Sequence, residues 1–477
     1  VFDPSRGEQI AEVGLASVDE VDEAVAAASR AAPSWRATSL SRRADVMFRF
    51  RQLLTEHQGE LISLVSTEHG KVRSDAAGEL ARGLENVEFA CGIPALMKGG
   101  FSEQASTGVD VYSIKQPLGV VAGITPFNFP VMVPLWMIAT ALACGNTFVL
   151  KPSEKDPSAS LLLGTLLGEA GVPDGVFNVV QGDKTAVDRI LEHPDIAAVS
   201  FVGSTPIARY VYAKGTEAGK RVQALGGAKN HMVVLPDADV GSAADAAVSG
   251  AYGSAGERCM AVSVVVAVGS VAGPLVEAIR SRLSHLKIGA GSDPASEMGP
   301  LITAEHRDRV AAVVAGASEE GATVVVDGTR TDLGPGAEPA GFYTGGSLLD
   351  DVRPGMEAYD REIFGPVLAV VRADTYEEAL SLVNDNPYGN GCALFTRDGG
   401  VARQFQFDVV CGMVGINVPI PVPVAYYSFG GWKQSLFGDT HMYGPEGIDF
   451  YTRTKVVTSR WPDPATSQID LGFPQTR

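Results

Sequence analysis

The sequence predicts an α/β protein whose parallel sheet carries a nucleotide site at its strand ends. Strand-like and helix-like segments alternate beyond Gly145, and Gly203-Ser204-Thr205 leads one strand directly into a helix. The chain has 477 residues, of which 45% are apolar and 20% charged. That fits two or three compact soluble domains rather than a single core.

The first elements read as helices. Ser17 and Glu20 form a capping box, and Val18, Val21, Val25 and Ala28 follow at helical spacing. A long amphipathic helix is expected through roughly 41–68, with Phe50, Leu53, Leu54, Leu61, Leu64 and Val65 inward. A third, near 75–92, carries Arg82. The apolar run 133–150 has the look of a membrane span, but Pro134 and the Gly145-Asn146 turn divide it into a helix and a buried strand. Strands at 147–150, 177–180 and 198–202 then alternate with helices at 159–170 and 184–192. Such alternation implies right-handed crossovers and a parallel sheet. A second α/β stretch spans about 231–415, the Pro-rich segment 417–431 is too rigid and apolar for a linker, and 448–458 reads as a strand.

Charge and cysteine usage narrow the function classes. A formal net charge of -18 argues against nucleic acid or an anionic membrane as partner. An anionic substrate therefore needs positive charge gathered locally. Cys91, Cys144, Cys259, Cys392 and Cys411 are odd in number and scattered, without CxxC or Cys/His spacing. No disulfide framework or metal site is expected, and a reducing compartment is. The opening VFDPSRGEQ lacks an apolar signal core, so a cytoplasmic location is expected. Among the histidines only His231, in AKNH, adjoins a motif; site ordering and core packing are both open to it.

Candidate site residues each carry two readings. Gly203-Ser204-Thr205 can hold a pyrophosphate on backbone N–H groups or simply cap a helix. Lys151 and Glu154 can bind the hydroxyls of an adenosine ribose, the carboxylate repelling a 2′-phosphate, or form a solvated loop. Cys259, in SAGERCM (254–260), is a nucleophile or a small buried residue.

Seven motifs occur in one order: TPFNFP (125–130), KPSE (151–154), SFVGST (200–205), LGGAK (225–229), GERC (256–259), EIFGP (362–366) and NPYGN (386–390). With them the chain resembles the NAD(P)-dependent aldehyde dehydrogenase superfamily over essentially its whole length. RCM, AKNH, PIPVPV and the closing GDT, YG and GIDFYT make it most similar to the CoA-acylating methylmalonate-semialdehyde dehydrogenases. The resemblance implies an aldehyde dehydrogenase-like fold with a Rossmann-type NAD domain (1–98 and 118–230), an α/β catalytic domain (231–433) and a small β oligomerisation arm (99–117 and 444–477). It implies a homotetramer of paired dimers. It assigns Cys259 as nucleophile and Asn128 as oxyanion donor. Phe127, Lys151, Glu154, Gly203, Ser204, Glu362 and Phe364 become NAD contacts, while Ala208 departs from the family's GSTxxG.

Thiolate addition to an aldehyde gives an oxyanion that can expel hydride, leaving a thioester. Arg258, if close, favours the thiolate. Water-using relatives carry a Glu in E-L-G-G-K; here that position holds Leu225 or Ala224, and neither is a base. CoA is the acceptor the resemblance implies, and the expected substrates are methylmalonate semialdehyde and malonate semialdehyde. A hydrolytic enzyme with Glu257 as base is the rival, although an extended segment would turn Glu257 away from the pocket. Arg82 and Arg258 are candidate carboxylate clamps or surface ion pairs, and Phe129 and Phe429 candidate pocket walls or core.

Overall fold

The computed structural model describes residues 1–330, 333, 334, 336–465, 469 and 471. Helix α1, Val18–Ala37, opens with the expected capping box, the Ser17 amide donating to Glu20 Oε2 at 2.8 Å. The single helix expected over 41–68 is instead two, α2 (Leu40–Glu56) and α3 (Gln58–His69), divided at His57. Between Leu54 and Leu61 no residue is buried to anchor a continuous helix, and the chain turns there so that α3 packs on α4, Arg73–Cys91. The apolar run divides as expected. Every residue of helix Met132–Cys144 is buried, and Gly145 ends it at φ +98°, where a Cβ would meet Arg43 Nη1 at 1.7 Å. Among the described residues no helix is long and apolar enough to cross a membrane.

Strand Val120–Ile124 lies at the middle of a six-stranded sheet. Thr147–Lys151 and Phe177–Val179 extend it on one side, Ile196–Val202 and Arg221–Leu225 on the other, all parallel. The short Leu436–Phe437 closes the edge antiparallel to Arg221–Leu225. The order reverses direction at Val120–Ile124, and such a switch point opens a crevice beyond the strands' C-terminal ends. Residues 226–229 lead from this sheet into a second, seven-stranded one. Asn230–Val234 lies inside it, flanked by Val262–Val268 and Gly391–Phe395, all parallel.

The strand expected over 448–458 is partly helix. Gly444–Phe450 forms a helical turn, with Pro445 in its first turn and Ile448 and Phe450 buried, and the strand runs Thr452–Arg460. That strand pairs with Val109–Pro117, which pairs with Phe101–Ser106. Phe101, Ile114 and Val456 stay exposed on this small sheet. Residues 466–468, 470 and 472–477 of the expected arm lie outside the described residues.

Candidate active site

The chemistry-bearing residues gather where the two large sheets meet. Strands Asn230–Val234, Val262–Val268 and Gly391–Phe395 begin at one edge of the second sheet, and residues there clasp the loop ahead of Val262. Asn230 Nδ2 donates to Cys259 O at 2.9 Å, and Asn390 Nδ2 to the same carbonyl at 3.2 Å. Opposite stands the C-terminal edge of the six-stranded sheet, continued by Phe127, Asn128, Gly203 and Gly227.

Cys259 lies at the junction of two cavities. A groove of ≈ 270 Å³ on one side is lined by Phe127, Asn128, Gly203, Ser204, Glu362 and Phe364. On the other, a tunnel of ≈ 280 Å³ is lined by Arg82, Phe129, Arg258 and Phe429, with Trp136 and Met132 between them. Lys151 and Glu154 line neither; they pair with each other, Nζ to Oε2 at 3.1 Å, past the end of strand Thr147–Lys151.

The groove fits a dinucleotide. Helix Thr205–Glu217 points its N-terminus there, and the exposed Ser204 makes no side-chain cap bond, leaving its hydroxyl and the first N–H groups for phosphate. Ala208 is fully buried beneath. A Cβ on Gly227 would lie 2.3 Å from Glu362 Oε2, so only glycine leaves that carboxylate its place. Glu362 Oε1 accepts from Ala228 N at 3.0 Å, and burial raises its carboxyl to about 7 against the pull of that N–H and of Lys229. Lys229 Nζ in turn donates to Ala358 O at 2.8 Å and Arg361 O at 2.7 Å, holding the turn that presents Glu362; burial lowers its pKa to about 8. Phe364 takes φ +58°, a left-handed conformation bulky residues avoid. His306 restrains it. Arg309 Nη2 donates to His306 Nδ1 at 2.9 Å, so the neutral ring carries its proton on Nε2 and donates to Phe364 O at 2.7 Å.

A buried ion pair fixes the loop that carries Asn128. Lys71 Nζ donates to Glu79 Oε2 and to Asn128 O, both at 2.7 Å, and sits 4.2 Å over the Phe129 ring. Glu79 Oε1 accepts from Val131 N at 2.8 Å and Met132 N at 3.1 Å. Asn128 Nδ2 donates to Glu257 O at 3.1 Å, tying this loop to the one that carries Cys259. Neither Lys71 nor Glu79 belongs to a sequence motif, and burial of both charges is the signal that marks them.

Two expectations about the loop that carries Cys259 are refined. Arg258 favours the thiolate, as expected, but does not by itself hold Cys259 in that form. Burial pushes the thiol up to about 12, the nearby Glu362 adds to this, and the pull of Arg258 is smaller; its Nη2 already meets Asp75 Oδ1 at 2.5 Å. Nor is the segment around Glu257 extended. Ser254, Ala255 and Gly256 all have positive φ, of 53°, 50° and 75°, and Gly256 packs so tightly on Gly365 that a Cβ would lie 2.2 Å from its oxygen. Glu257 emerges fully buried, accepting from Ile302 N at 3.2 Å between His306, at 3.6 Å, and His69, at 3.9 Å. Burial raises its carboxyl to about 8. It lines neither cavity around Cys259.

Leu225 and Ala224 are buried in the strand paired with Leu436–Phe437. His231 is packed in the core, Nδ1 2.8 Å from Lys229 O and Nε2 3.2 Å from Tyr359 Oη, and burial lowers its pKa to about 3. Phe129 and Phe429 are both buried tunnel walls; Phe429 stacks on Tyr443 with ring centres 5.1 Å apart.

Residues 1–457 match the model of the aldehyde dehydrogenase family. The chain belongs to that family. It is 55% identical over 476 residues to the malonate-semialdehyde dehydrogenase of Pseudomonas aeruginosa, covering 99% of this chain and 95% of the relative. It is 45% identical to the mitochondrial acylating methylmalonate-semialdehyde dehydrogenase of Arabidopsis thaliana, covering 100% of this chain and 78% of that one. Among solved structures, the methylmalonate-semialdehyde dehydrogenase of Oceanimonas doudoroffii superposes with a TM-score of 0.96 at 54% identity, covering 98% of this chain and 95% of its own. The betaine aldehyde dehydrogenase of Staphylococcus aureus, in complex with NAD+, does so with a TM-score of 0.93 at 28% identity, covering 100% and 93%.

Proposed function

We propose that this aldehyde dehydrogenase oxidises malonate semialdehyde and methylmalonate semialdehyde with NAD and passes the acyl group to CoA. The observation that carries this reading is the placement of Cys259 between a dinucleotide-shaped groove and a tunnel bearing two arginines, with no carboxylate at the position of Leu225.

Cys259 Sγ gives up its proton to solvent and bonds to the aldehyde carbon entering from the tunnel, and the carbonyl electrons move onto oxygen. Asn128 and the Cys259 backbone N–H are the donors proposed for that oxyanion, and one such donor is worth about 3–4 kcal/mol of barrier lowering. Bound NAD supplies the acceptor for the hydride that leaves this carbon, and a Cys259 thioester remains. Glu362 and Phe364 hold the nicotinamide end, Ser204 and Gly203 the pyrophosphate, and Lys151 and Glu154 the adenosine ribose. The thiol of CoA then attacks the thioester carbon, and Cys259 leaves as the free thiol. A carboxylate β to a thioester carbonyl already has an electron sink, so its loss as CO2 needs no dedicated base; protonation then gives acetyl-CoA or propionyl-CoA. That chemistry suits valine or inositol breakdown. Arg258 contacts the substrate carboxylate, joined by Arg82 once its Nη1 releases Glu85.

The seam at residue 230 serves as the boundary between an NAD-binding and a catalytic domain. The exposed three-stranded sheet is the contact that builds a homotetramer, which sedimentation velocity measures.

Pre-steady-state NADH formation with malonate semialdehyde tests the reaction. Without CoA, a burst of about one NADH per site followed by a near halt is expected, and CoA restores turnover. Full steady turnover without CoA supports the hydrolytic rival. Arg82→Leu and Arg258→Leu are each expected to weaken carboxylated aldehydes more than propanal.

A further inference from the structure

Helix α4 presents Asp75, Glu79 and Arg82 toward the tunnel, at the three- and four-residue spacing that stacks side chains on one helix face. The two tunnel arginines differ in how they are held. Arg82 Nη1 donates to both carboxylate oxygens of Glu85, at 2.8 and 2.9 Å. Its Nη2 donates to Val422 O at 2.7 Å and Pro423 O at 3.1 Å. Both terminal nitrogens are committed. Arg258 commits only Nη2, to Asp75 Oδ1 at 2.5 Å.

The partner oxygen, Asp75 Oδ2, is buried with no hydrogen-bond donor. A carboxylate bound through one oxygen gains less from its site than one bound through both. The guanidinium of Arg258 also lies against Gly253, where a Cβ would come within 2.5 Å of Nη1. This contact orients Arg258 independently of Asp75. The pair stands at a boundary, since both residues line the tunnel and also a larger cavity of ≈ 760 Å³ behind it. Their side chains are 19% and 14% exposed, enough desolvation for an unpaired charge there to be unfavourable.

A substrate carboxylate entering the tunnel therefore meets a cation that already has an anion. We propose that Asp75 is a specificity-determining residue, the resident counter-ion of Arg258 that an incoming carboxylate displaces. Binding is an exchange of one carboxylate for another across the same guanidinium. A neutral aldehyde leaves the pair intact, so the strength of the Asp75 contact sets how far the site prefers carboxylated substrates. This rests on reading Arg258 as the contact for the substrate carboxylate.

Asp75→Asn keeps the shape and the acceptor oxygen toward Arg258 while removing the competing charge. With NAD and CoA saturating, the ratio of kcat/KM for malonate semialdehyde over propanal is expected to rise about fivefold, in the range of a partly exposed ion pair. The inhibition constant of malonate, an unreactive dicarboxylate competing with the aldehyde, should fall by a similar factor. An unchanged or lowered ratio overturns the proposal. If the Asn variant does not fold, Asp75→Ser removes the same charge and carries the same expectation. Arg258→Leu separates the two layers. If it selectively impairs the semialdehyde while Asp75→Asn leaves the ratio unmoved, only the counter-ion role is lost. If it impairs both aldehydes alike, the reading of Arg258 itself fails.

Discussion

Replacing Glu79 by Gln probes how the protein holds Asn128, the oxyanion donor of the proposed reaction. Lys71 and Glu79 are both fully buried, with a 2.7 Å contact between their charges. At an effective dielectric of about 20, such a separation corresponds to about 6 kcal/mol of direct attraction, set against a desolvation penalty of several kcal/mol per ion. The Gln side chain can still accept from Val131 N and Met132 N, but its amide must then face the Lys71 ammonium, donor against donor. Lys71 would keep only Asn128 O and the Phe129 ring. Breaking a buried pair in this way costs about 3–5 kcal/mol, whereas replacing both members with apolar groups is close to neutral. Glu79→Gln alone should lower the thermal midpoint by several degrees. Adding Lys71→Met should recover most of that loss, since the two changes are coupled. In the single variant kcat should fall up to about a hundredfold, the scale of a lost oxyanion donor, with little change in KM for NAD. Calorimetry and steady-state kinetics on both variants give the answer. Strictly additive losses in the double variant would refute the coupling and leave the two residues as independent packing elements.

Glu257 gives a pH test of stability. Its carboxyl is raised from 4.5 to about 8 in the folded protein, so the unfolded chain ionises first as pH rises between those values. Stability from this group is complete below 4.5 and is lost as pH climbs toward 8, by at most about 5 kcal/mol. Glu257→Gln should therefore melt higher than the parent at pH 8 and near it at pH 5; the opposite order would show that the ionised carboxylate is stabilising. For Cys259, held at about 12, iodoacetamide labelling of the free protein should keep rising about tenfold per pH unit from 7 to 10, and a plateau near pH 8.5 would show an ordinary thiol. Lys229→Met releases the turn that presents Glu362 and should weaken NAD binding about tenfold by fluorescence titration; unchanged binding would show that the turn holds without it.

Much of the fold was legible because its boundaries are written in local chemistry. Ser17 with Glu20, Gly145 after the apolar helix and Gly171 after the next each mark an end that the structure keeps. The break at His57 carries no proline and no cap, since it arises from how α3 meets α4, and periodicity ran through it. The same division runs through the site. Cys259, Asn128, Glu362 and the glycines that let backbones approach lie in compact motifs and meet around one cavity. Lys71 is 57 residues from Asn128, and Asp75 is 183 from Arg258. In sequence Asp75 reads as an ordinary helix charge and Lys71 as a charge in the short link between two helices. Only burial and partnership, which follow from the tertiary fold, set them apart. Glu257 turns away from the pocket, as an extended segment would have turned it, but by another route: three left-handed residues, Ser254, Ala255 and Gly256, bring it inward.

Cys259 opens on two sides, and under the proposed reaction this governs traffic through the site. A molecule lodged in the tunnel and one lodged in the groove arrive by separate doors. An inert aldehyde analogue should therefore reduce the maximal rate with respect to NAD without being driven off by more of it. An acyl chain waiting on Cys259 fills the tunnel and leaves the opposite doorway clear, so departure of one large ligand and arrival of the next can proceed behind it.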